Sequence, residues 1–66
     1  MEQWVVTMPF ATLDGRQGTQ DFVVSAPDAL SALAAAVTCA NEDHAARHRR
    51  HAAIDTEAAV IALWQE

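Results

Sequence analysis

The chain has 66 residues, so it forms one domain at most, over 1–66, and it buries a smaller share of its surface than a larger protein does. Nine acidic side chains against four basic ones give a formal charge of −5, which argues against general attraction to nucleic acid or anionic lipid. Cys39 is the single cysteine, which excludes an internal disulfide and suits a reducing cytoplasm, and no apolar stretch reaches the length of a membrane span.

Met1-Glu2-Gln3 is not the basic start of a signal peptide. Trp4 to Phe10 reads as a strand, with Trp4, Val6, Met8 and Phe10 on one face and Val5 and Thr7 on the other. Pro9 cannot donate to a ladder and belongs at an edge, a strand end or a bulge. Asp14-Gly15 signals a hairpin, and Thr19 to Val24 returns with Phe22 and Val24 on one face and Asp21 and Val23 on the other. A two-residue turn would set Asp21 among the large apolar side chains. A three-residue turn, Leu13-Asp14-Gly15, pairs Trp4 with Val24 and Val6 with Phe22 and is the favoured reading; a bulge near Pro9 or Gly18 would give the same register.

Ser25-Ala26-Pro27-Asp28 reads as a helix start, Ser25 and Asp28 forming a shortened capping box. Alanine then favours a helix, with Leu30, Leu33, Val37 and Ala40 as its apolar stripe. Ala29, Ala32 and Ala36 lie off that stripe, either exposed or allowing another backbone close approach. The spacing of Asp43 and Arg47 suits continuation to about residue 48, unless a break falls at Asn41. Residues 58–64 are either a short helix capped by Asp55 or Thr56, or, the favoured reading, an apolar strand buried on both faces.

The expected fold class is α+β, in the order β-β-α-β. A right-handed crossover gives a three-stranded antiparallel sheet of order 2-1-3 with one helix on one face. The other face carries Val5, Thr7 and Val23, with either Ile61 and Leu63 or Val60, Ala62 and Trp64. That is too apolar for a face left in water, so homodimerisation is expected, with Val5, Thr7, Val23 and Trp64 as the self-association candidates.

Chemistry-bearing residues concentrate in one segment. His44, His48 and His51 would share a face of a continuous helix and are weak candidates for a metal site. Arg47, His48, Arg49, Arg50 and His51 form the only basic patch, a candidate surface for a protein partner or for nucleic-acid phosphate. No Ser/His/Asp or Cys/His arrangement supports catalysis, so no enzyme and no cofactor is expected. All four basic side chains are arginine, and with so much alanine the chain has the composition of coding from a high-GC bacterial genome. The leading expectation is a non-enzymatic module that binds itself and a protein partner. The alternative is a nucleic-acid-binding accessory protein using the arginine and histidine residues.

Overall fold

The computed structural model describes residues 1–64. Strands β1 (Glu2–Ala11) and β2 (Gln17–Ala26) form an antiparallel hairpin in the expected register, Trp4 opposite Val24 and Val6 opposite Phe22. The ladder closes where the Thr12 N–H donates to the Arg16 carbonyl at 2.8 Å, and the Gly15 N–H donates to the Thr12 carbonyl at 3.1 Å. That leaves Leu13-Asp14-Gly15 as the turn, with Gly15 left-handed at φ 87°, a conformation without steric cost for glycine.

Beyond the hairpin come helix α1 (Ala29–Ala40), helix α2 (Asp43–His48), strand β3 (Ala53–Ile54), a 3₁₀ turn at Thr56–Ala58 and strand β4 (Val60–Leu63). Both β3 and β4 pair antiparallel with β1, so the sheet runs β2-β1-β3 with β4 also on β1. The third lane is thus one strand broken in two. Pro9 supplies a reason. Thr12 bonds toward β2, and bonded pairs alternate along an antiparallel ladder, so odd-numbered residues of β1 face the third lane. The Pro9 carbonyl accepts from the Asp55 N–H at 2.9 Å, but proline has no N–H to return. Directly after Asp55 the chain leaves the ladder as the 3₁₀ turn, closed by the Asp55 carboxylate, which accepts from the N–H groups of Glu57 and Ala58. Of the edge, strand end and bulge left open for Pro9, the bulge is the one found.

Helix α1 starts at a different residue from the one expected. Asp28 is the N-cap, accepting the Ser31 N–H at 2.8 Å, whereas Ser25 is an exposed strand residue opposite Gln3. The bond from the Ser31 N–H, aided by the Ser31 hydroxyl, holds the Asp28 carboxyl below its ordinary 3.8. Of the two readings for its end, the break at Asn41 is the one found; α2 is a separate helix, and Asp43 and Arg47 form no ion pair.

The buried stripe of α1 is also different. Ala32, Ala36 and Ala40, at four-residue steps, are buried, Leu33 and Val37 flank them half-buried, and Leu30 is 80% exposed. The cause lies in the sheet. Val6, Met8 and Val24 already fill the space beneath the helix, so its smallest side chains face them and the two layers approach closely. Strand β4 departs from the expectation in one respect: it is not buried on both faces. It lies at the sheet margin, with Ile61 turned to the core and Val60 64% exposed.

Candidate functional site

The strand register sorts every side chain to one of two faces. Trp4, Val6, Met8, Phe22, Val24 and Ile61 face α1. On the other side, Val5 sits between Val23 of β2 and Ala62 of β4, and Thr7 sits between Asp21 and Val60. Of the two C-terminal sets left open by the sequence, the outer face therefore holds Val60 and Ala62, and alternation carries Trp64 to the same side. The Trp64 N–H donates to the Gln3 carbonyl at 2.9 Å, which fixes the backbone there at the end of the ladder. Val23, Val60 and Trp64 are 52%, 64% and 46% exposed, while Val5 and Thr7 are half-buried between their neighbours. No helix covers this face among the described residues. Asp21, Thr19, Gln3 and Ser25 give it a polar border, an arrangement typical of protein contact surfaces.

The basic segment is divided by the fold. Arg47, His48, Arg50 and His51 are exposed. Arg49 is only 8% exposed and binds the molecule together: Nε donates to the Ala52 carbonyl at 2.8 Å, and Nη1 donates to the Ala40 carbonyl at 2.7 Å and to the Gln20 side-chain oxygen at 3.2 Å. The Ala40 bond sets a positive charge at the C-terminal end of α1, where the helix dipole favours it. Gln20 in turn donates to the Ala45 carbonyl at 3.0 Å, so β2, α1, α2 and the link to β3 meet at one arginine. The sequence carried a signal for this: Gln20 shares a face with Phe22 and Val24, where an uncharged polar residue needs a buried partner.

The three histidines are not brought together. His44 and His48 lie on α2, but His51 follows the helix end, and the described residues hold no group of three that could take a metal ion. His44 is instead 3.7 Å from the Glu42 carboxylate on the surface. Cys39 is a half-buried free thiol against the core. The chain matches no protein family model, no curated protein and no solved structure. Geometry alone therefore bears on what this protein does. Among the described residues no helix is long and apolar enough to cross a membrane.

Proposed function

We propose that this protein is a small, non-enzymatic interaction module of the cytoplasm that pairs with a second copy of itself through its outer sheet face and, so joined, binds a protein partner. The observation that carries this reading is the band Val23, Val5, Ala62 and Val60, with Trp64 beside it, left without a covering layer. Surface area supports it. A compact monomer of 7.1 kDa should expose about 4,100 Å², whereas this chain exposes 4685 Å². Val23, Val60 and Trp64 on the outer face contribute to that exposed surface.

Two sheets pack face to face about 10 Å apart, side chains interdigitating as in a sandwich. A three-lane face roughly 30 Å by 15 Å would bury on the order of 1,000 Å² in a symmetric pair, near the lower limit of a stable interface. Association is therefore expected to be reversible and concentration-dependent. Light scattering across a concentration series tests it: the mass should rise from about 7 toward about 14 kDa. A constant monomer mass at high concentration removes the proposal.

A further inference from the structure

At the end of the molecule remote from the outer-face band, the hairpin turn faces the link between α2 and β3 across a cleft of about 790 Å³. Its charge is out of keeping with an acidic protein. Three of the four arginines, Arg16, Arg49 and Arg50, line it, together with His48 and His51. Among the described residues Asp14 is the only carboxylate in the lining, and it is committed to its own turn. It accepts from the Thr12 hydroxyl and the Arg16 N–H, which hold its carboxyl below the ordinary range, and it lies 3.5 Å from the Arg16 Nε. With the histidines neutral, about two positive charges remain unmatched.

Arg49 is the informative member. Among the described residues, no carboxylate lies within ion-pair reach of Arg47, Arg49 or Arg50. Arg49 spends Nε and Nη1 on three internal acceptors, and Nη2 has no hydrogen bond among the described residues. Among the described residues no buried side-chain nitrogen or oxygen lacks a partner, so Nη2 is not fully enclosed; Arg49 borders this cleft and also a smaller one beside Ala40 and Asn41. Its charge is met by neutral acceptors and by the C-terminal end of α1, with no carboxylate beside it among the described residues. The backbone beside it is held in an uncommon form. Arg50 and His51 are both left-handed, at φ 56° and 61°. The His51 N–H donates to the Ala46 carbonyl at 2.7 Å and the Arg50 N–H to the Arg47 carbonyl at 3.0 Å, closing α2 in the pattern that normally employs glycine. Strain of this kind persists where side chains must be aimed.

We infer that the cleft binds a small organic phosphate, its phosphoryl group held by Arg16, Arg49 and Arg50 and its apolar part resting on Phe10 and Leu13. Phosphate fits the unmatched charge, since a monoester carries about −1.5 to −2 at neutral pH, and guanidinium forks suit its oxygens. The volume lies within the range of small-molecule sites. The Phe10 ring is fixed across Gly18, where an added Cβ would come within 2.6 Å of it, and Leu13 stands fully exposed at the rim. A polyanionic strand is disfavoured by the net charge of −5.

Titration of the full isotope-labelled chain with phenyl phosphate, in about 50 mM salt to limit screening, tests the assignment. Saturable shifts are expected at the Arg16, Arg50 and His51 amides and at the Arg49 Nε–H, with weaker binding of inorganic phosphate and none of phenol. Arg16→Ala and Arg50→Ala should each weaken binding about tenfold while leaving the α1 resonances in place. Arg50→Gly should weaken it equally while raising thermal stability, because glycine relieves the left-handed strain, so loss of ligand cannot be ascribed to loss of fold. Shifts that never saturate, or that survive both arginine substitutions, overturn the inference. So does benzoate binding as tightly as phenyl phosphate, which makes the site a carboxylate site. Far tighter binding of a short oligothymidylate to the same residues would make it a nucleic-acid surface instead.

Discussion

The two faces of this sheet carry similar side chains and meet different fates. Val6 and Val5 are neighbours on β1, yet Val6 is wholly buried under α1 and Val5 is only half-buried among its strand neighbours. Val24 and Val23 repeat the contrast on β2, at 8% and 52% exposure. The difference is not hydrophobicity but supply: one twelve-residue helix covers one face, and no described element is left for the other. Ala32, Ala36 and Ala40 let that helix lie close, so its coverage is tight but adds little apolar area of its own. Small chains meet such a shortage with disulfides, a structural metal or association with another chain, and the last is the remedy proposed for this one.

The contrast can be sharpened by substitution. Met8→Ala removes the largest fully buried side chain and should cost about 2–5 kcal/mol in urea denaturation, whereas Val23→Ala, measured in dilute monomer, should stay within about 0.5 kcal/mol. Equal losses would erase the distinction between the faces. Arg49→Met should cost about 2–3 kcal/mol, because the Ala40 and Ala52 carbonyls lose their donor and the covering layer loses its anchor to Gln20. Ala36→Leu should cost about 1–3 kcal/mol by lifting α1 from Met8 and Val6, although leucine is the more apolar residue; a gain would mean that the helix has room to spare.

The smallest effect concerns the start of the covering helix. The folded carboxyls of Asp28 and Asp14 lie below 3.8, so below that pH the unfolded chain binds more protons than the folded one. Their contribution is complete above about 3.8 and is lost as pH falls through the folded values. Asp28→Asn keeps an oxygen at the cap but removes the titration. Its melting temperature should therefore fall less between about pH 5 and pH 2.5 than that of the parent chain. An unchanged acid limb would show that the cap does not contribute through its charge.

The hairpin was legible in sequence because a slip of one residue would have set Asp21 among Trp4, Val6 and Met8; the observed register keeps charge off that face, with only the uncharged Gln20 opposite Met8. Pro9 left an edge, a strand end or a bulge open, and spacing does not say which lane would carry a bulge, since the partner strand is far along the chain. Spacing points to the wrong face of α1 because it registers the size of apolar side chains and not their fit to the sheet. Leu30 belongs to the most apolar stripe of the isolated helix, but the sheet beneath had no volume left for it. The broken third lane was only half legible: Ala53 and Ile54 are too few to read as a strand until Phe10 pairs with them. The basic segment was visible as composition. Its division between an internal Arg49 and an exposed Arg50 depends on the break at Asn41, and the approach of Arg16 depends on tertiary folding, neither of which spacing alone reveals.

Mass in solution for the parent chain, Val23→Glu and Leu30→Glu, by sedimentation at matched concentration, bears most directly on the uncovered face. Both substitutions place a charge at an exposed apolar position, one on the outer sheet face and one on the back of α1. The parent chain and Leu30→Glu should sediment as reversible dimers and Val23→Glu as a folded monomer. A parent chain that stays monomeric, or a Val23→Glu variant that dimerises as well as Leu30→Glu, would contradict the account.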